Sequence, residues 1–101
     1  MKYLLYRSFG DLEKDVKKHE LVAVEYGQNI DDVTDALIKA AADDLAGTPE
    51  YEHCETAAYA PEPIKDFRGV RRYQYEMMGI VYPPSAEKNI LIDFGIVESE
   101  E

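Results

Sequence analysis

The chain has 101 residues, with 11 Lys and Arg against 21 Asp and Glu, which gives a formal net charge of −10 at pH 7. Apolar residues make up 46% of the chain, as in a globular protein, so the acidity does not by itself imply disorder. One cysteine excludes an internal disulfide and a thiolate zinc cage. No apolar run reaches the roughly 18 residues of a membrane helix, and the N-terminus lacks a signal-peptide cleavage site. We therefore expect a cytoplasmic protein that forms one domain over 1–101, with a short solvated acidic tail at 98–101.

Two strands are predicted before the first helix. The stretch 2–8 is rich in Tyr and Leu, and in the stretch 20–26 every second residue from 22 onward is apolar and can share one face. The face expected to be buried in the second strand consists of Val22, Val24 and Tyr26. The segment 9–18 between the strands is ambiguous, because its apolar residues have helical spacing within a length that also suits a hairpin loop.

A helix is predicted from about Asn29 to Ala46. Asn29 is a good N-cap, and the acidic residues after it are favoured by the helix dipole. Apolar residues recur at helical spacing and define one buried stripe, made of Ile30, Val33, Leu37, Ala41 and Leu45. We expect Gly47 to end the helix with a positive φ, and Pro49 prevents its continuation.

Three further strands are predicted after the helix, over 54–60, 71–82 and 89–97. The apolar phase of the second one shifts by one residue near Met78 and Gly79, which predicts a β-bulge there. The resulting order β-β-α-β-β-β predicts an α+β fold, with a small antiparallel or mixed sheet of about five strands and the helix packed on one face.

No catalytic, cofactor or metal motif is present, and we expect a protein that is not an enzyme. His53 and Cys54 are adjacent, but neighbours on a strand point to opposite faces, so a structural cysteine is favoured over an activated nucleophile. The alternative is a small-ligand binder or enzyme with a cleft that brings together His53, Cys54, Arg71 and Tyr73.

The charge is concentrated, because residues 29–62 carry one lysine and nine carboxylates and so account for −8 of the net −10. The predicted helix contributes a candidate interaction surface made of Asp31, Asp32, Asp35, Asp43 and Asp44. A basic cluster with aromatic neighbours forms a second candidate surface, made of Arg71, Arg72, Tyr73 and Tyr75. Its arginines can pair with the acidic middle of the chain, and its tyrosines can either pack across strands or form an interface.

The sequence therefore favours a small, acidic, non-catalytic binding or regulatory module, of the kind that suits an accessory protein of a bacterium, phage or mobile element. Its partner is expected to be a protein, either one with a basic nucleic-acid-binding groove or a second copy docked through tyrosines or an open edge strand. Direct nucleic-acid binding is not expected at this net charge, nor is membrane binding.

Overall fold

The computed structural model describes residues 1–7, 20–64, 73–85 and 88–100. Within these ranges the elements are β1 (Lys2–Arg7), β2 (Glu20–Tyr26), α1 (Ile30–Ala46), a 3-10 helix (Pro49–Tyr51), β3 (Glu55–Ala58), β4 (Glu62–Pro63), β5 (Tyr75–Tyr82) and β6 (Ile90–Ser99). The strands form one antiparallel sheet in the order β2-β1-β6-β5-β3, and the short β4 pairs with β5 on the same edge as β3. The predicted α+β fold, with one helix packed on a small sheet, is confirmed.

Helix α1 begins where its local sequence predicts. The side chain of Asn29 accepts a hydrogen bond from the backbone N–H of Asp32, and the Asp32 carboxylate accepts one from the backbone N–H of Asn29, which completes a capping box. At the other end, Gly47 has φ −82°, so the expected positive φ is wrong. The backbone N–H of Gly47 donates to the carbonyl of Asp43, which ends the helix without a left-handed residue.

The core lies between α1 and one face of the sheet. The helix contributes Val33, Leu37, Ala41 and Leu45, and the strands contribute Tyr3, Leu5, Met77, Val81, Phe94 and Ile96. Close approach of helix and sheet depends on Gly79, because a Cβ at this position would lie 2.7 Å from Cδ1 of Leu45 and 2.8 Å from Cε2 of Phe94. The side chain of Leu45 therefore packs directly on the β5 backbone, where only glycine leaves room for it.

The β-bulge predicted at Met78 and Gly79 is wrong. Pairing of β5 with β6 runs without a shift from Tyr75 opposite Ile96 to Val81 opposite Ile90. The change of apolar phase has another cause: Ile80 points away from the helix and is still only 4% exposed, so this part of β5 is buried on both faces. The register shift in the described sheet lies instead between Leu5 and Tyr6, where β1 pairs with β2.

Two expectations near strand ends are also wrong. Tyr26, expected to be buried, is 65% exposed, because it is the last residue of the edge strand β2 and lies opposite Lys2. Glu98 and Ser99, expected in a solvated tail, belong to β6, where they pair with Tyr3 and Lys2. The ambiguous segment 9–18 lies outside the described residues.

Candidate functional site

The exposed side of α1 carries a row of charged residues, which we call the acidic helix face. It consists of Asp31, Asp35, Lys39 and Asp43, all exposed. Each of these residues lies two positions from a member of the buried stripe of the helix. Because successive residues of an α-helix are rotated by about 100°, the row projects to the side opposite the core. The fold thus presents these charges to solvent along about three turns.

Three of the five helix carboxylates singled out from the sequence have a partner within the chain. Asp32 belongs to the capping box, where its Oδ2 also accepts the backbone N–H of Gln28 at 2.9 Å. Asp43 accepts a hydrogen bond from Nζ of Lys39 at 2.7 Å. Asp44 faces the sheet side and lies 3.5 Å from Nη1 of Arg7. These three carboxylates stabilise the helix or its packing.

Asp31 and Asp35 remain, one helical turn apart, and neither makes a hydrogen bond or an ion pair in the described part of the chain. Like charges at positions i and i+4 of a helix repel each other, at a cost of about 0.2–0.5 kcal/mol per pair. The helix dipole favours Asp31 in the first turn and offsets part of this cost. These two carboxylates are consequently available to a cation from outside the chain.

The second candidate surface does not form as a unit on the outside of the molecule. Tyr73 is only 3% exposed, because its ring packs against Gly95 and makes an edge contact with the ring of Tyr6 at 5.8 Å. Tyr75 is half-buried on the helix side of the sheet. Arg71 and Arg72 lie outside the described residues. Tyr73 therefore offers little of its side chain to a partner.

Tyr75 belongs to a buried polar cluster that the sequence did not indicate. Its hydroxyl donates to Oε2 of Glu98 at 3.4 Å, and Glu98 lies opposite Tyr3 in the pairing of β1 with β6. Burial raises the pKa of Tyr3 to about 12, and the Glu98 carboxylate acts in the same direction. Burial and Glu98 also raise the pKa of Tyr75. Both phenols therefore stay neutral through the physiological pH range.

Of the four residues of the alternative cleft, His53, Cys54 and Tyr73 are described and do not come together, and Arg71 lies outside the described ranges. The side chain of His53 projects into solvent from a backbone with φ 70°, whereas Cys54 is half-buried against the core. Cys54 precedes β3, whose first residue pairs with Tyr82 at one end of β5. Tyr73 lies beyond the other end, roughly 23 Å or more away at the rise of a strand. A shared site for these side chains finds no support in this arrangement.

The comparisons with known proteins give no match, whether to a protein-family model, to a curated protein or to a solved structure. Among the described residues, no three His, Cys, Asp or Glu side chains come together as metal ligands. The helix of the described ranges is too short and too polar to cross a membrane.

Proposed function

We propose that this protein is a non-catalytic binding module that presents the acidic helix face to a basic surface of a protein partner. The observation that carries the proposal is the pair Asp31 and Asp35. Both are exposed, neither has a partner in the part of the chain that the structure describes, and the segment that holds them has a net charge of −8. A partner cation placed between the two carboxylates relieves their repulsion and gains two attractive contacts.

The rest of the segment 29–62 supports a charged partner as well. Of its nine carboxylates, Asp43 and Asp44 have a Lys or Arg counterion among the described residues, and the lysine of the segment is already paired with Asp43. The charge therefore extends beyond the needs of folding. Long-range attraction from such a surface accelerates encounter with a basic partner and repels nucleic acid, so a protein whose own surface binds nucleic acid fits best.

The test compares two double variants that change the net charge equally. Asp31→Asn with Asp35→Asn removes the unpaired carboxylates of the helix face, and Glu50→Gln with Glu52→Gln removes two exposed carboxylates that follow the helix. Protein captured by the immobilised chain from a lysate of the native host is purified. Its affinity for the wild type and both variants is then measured by isothermal titration calorimetry at low and at physiological salt.

We expect affinity for the wild type to fall steeply with added salt, because screening weakens attraction between exposed charges. The helix double variant should bind at least about tenfold more weakly, a loss of roughly 1.4 kcal/mol, and the control should lose much less. Equal losses would mean that net charge alone acts, and salt-independent binding would contradict the proposal. A dimer in analytical ultracentrifugation would favour self-association through the edge strand β2 instead.

A further inference from the structure

A cavity of about 230 Å³ lies on the face of the sheet opposite to α1, near the edge at which both β3 and β4 pair with β5. Its wall includes Tyr59, Glu62, Glu76, Met78 and Asp93. Met77 and Phe94 point into the core under the helix. Because adjacent residues of a strand point to opposite faces, the neighbouring Glu76, Met78 and Asp93 point to the face without the helix. The cavity is smaller than the roughly 300–1,000 Å³ of pockets for drug-sized ligands, and it suits a single side chain.

Two carboxylates face each other at this cavity. Glu62 of β4 lies directly opposite Glu76 of β5, which places their Cβ atoms about 4.5–5.5 Å apart on the same side of the sheet. Both residues are exposed, and neither makes a hydrogen bond or an ion pair in the described ranges. Like charges directly opposite each other destabilise a strand pair. Asp93 is engaged in an interaction of its own, so the site rests on Glu62 and Glu76.

The remaining wall is aromatic and apolar. Tyr59 is 61% exposed, and its position is fixed because its backbone N–H donates to the carbonyl of Met78 at 2.9 Å. A tyrosine ring attracts a cation placed over its face, and the flexible thioether of Met78 adapts to an aliphatic chain. The apolar wall is independent of the two carboxylates and indicates a ligand that is not purely ionic.

We infer that this cavity binds an organic cation with an aliphatic stem, which is the chemistry of a lysine or arginine side chain. Its charged end lies between Glu62 and Glu76 and removes their repulsion, and its stem lies against Tyr59 and Met78. Because the cavity is on the other side of the sheet from the acidic helix face, this site does not depend on the function proposed above.

The experiment titrates the full chain with n-butylammonium and follows the Met78 methyl resonance by NMR. We expect saturable shifts with a dissociation constant on the order of 1 mM, as for a ligand of so few atoms. Glu62→Gln with Glu76→Gln should weaken binding at least about tenfold, whereas the control pair Glu50→Gln with Glu52→Gln should leave it unchanged. Neutral n-butanol that binds as well, or unchanged binding to the first pair, would overturn the inference.

Two further measurements keep the inference testable. Without ligand, Glu62→Gln with Glu76→Gln should unfold at the same or a higher temperature than the wild type, because a like-charge pair is removed; a lower temperature would contradict the inference. Tyr59→Leu keeps both carboxylates and should also weaken binding of n-butylammonium, because the ring that attracts the cation is lost; unchanged binding to this variant would contradict the inference. The cation could be the lysine side chain of a protein or a free small amine, and N-acetyl-lysine-methylamide distinguishes the two. If it binds as well as n-butylammonium, the ligand is a protein side chain. If only n-butylammonium binds, the ligand is a small amine.

Discussion

The fold buries the ring of Tyr3 completely. Its hydroxyl lies near enough to the Glu98 carboxylate for the pKa to be raised, but it does not meet the geometry of a hydrogen bond with any described residue. A buried hydroxyl without a hydrogen bond has lost its contacts with water, and this loss costs about 1–3 kcal/mol. The ring nevertheless fills the core between α1 and β1. Packing of the aromatic ring therefore explains the residue, and its polar atom is a cost that a phenylalanine would avoid.

Tyr3→Phe tests this interpretation in two ways. At pH 7 we expect unchanged or slightly higher stability, because no hydrogen bond is lost, whereas Tyr75→Phe loses its bond to Glu98 and should cost about 0.5–1.5 kcal/mol. The pH dependence should differ as well. The pKa of Tyr3 is about 12 in the folded chain against 10.0 for an ordinary tyrosine, so the unfolded chain releases this proton first as pH rises.

The stabilisation linked to Tyr3 is therefore fully present below about pH 10 and is lost as pH rises toward about 12. Urea denaturation of both proteins at about pH 9 and about pH 11.5 measures the difference. The free energy of unfolding of the wild type should fall more steeply with pH than that of Tyr3→Phe. Parallel curves would mean that Tyr3 ionises in the folded chain as readily as in the unfolded one.

At the scale of the elements, Arg7 connects β1 with the C-terminal end of α1. Its side chain is nearly buried, and Nη1 donates to Oγ1 of Thr48 at 2.8 Å and lies 3.5 Å from Asp44. The guanidinium also lies over the ring of Tyr51, 5.9 Å from its centroid. A cation at this end of a helix is favoured by the helix dipole. Thr48 in turn donates to the carbonyl of Asp44, so one network closes the helix.

Arg7→Met should therefore destabilise the fold by about 1–3 kcal/mol, because half-buried Asp44 and Thr48 each lose a partner. Lys39→Met is the matched control, since it also removes a cation paired with an aspartate, but from an exposed pair. We expect it to cost much less, because water and salt screen an exposed ion pair. Urea denaturation measures both, and equal losses would mean that Arg7 contributes no more than a surface charge.

Features set by neighbours in sequence could be predicted, and features set by distant residues could not. The helix was predicted to within a residue because the cap at Asn29 and its apolar spacing are local. The pair of Arg7 with Asp44 joins residues 37 positions apart and carries no sequence signal. The apolar Ile80 is buried on the face of the sheet without the helix, and this produces the same change of apolar phase in the sequence as a β-bulge. The unpaired aspartates of the helix face were within the predicted set, but which of the five have partners depends on packing.

At the scale of the whole molecule, the net charge of −10 acts on folding as well as on binding. Repulsion among carboxylates destabilises a compact chain, and salt screens exposed charges most effectively. The structure places Asp31 and Asp35 on an exposed face, where neither makes an ion pair with a described residue. Their repulsion should therefore be visible in stability measurements, without any partner.

Raising NaCl from about 0.02 M to about 0.5 M should increase the melting temperature of the wild type, because it screens this repulsion. Asp35→Gln removes one member of the unpaired carboxylates, and Asp43→Gln removes one that is paired with Lys39. Both substitutions bring the same gain in helix propensity. The difference between them therefore reflects the repulsion at Asp35, the pair of Asp43 with Lys39, and the helix dipole, which disfavours a carboxylate in the last turn. At low salt Asp35→Gln should be the more stable by about 0.5 kcal/mol, and the difference should shrink at high salt. If the difference in stability between Asp35→Gln and Asp43→Gln is the same at low and at high salt, screening does not act on Asp35, and the helix face loses its reason to attract a basic partner.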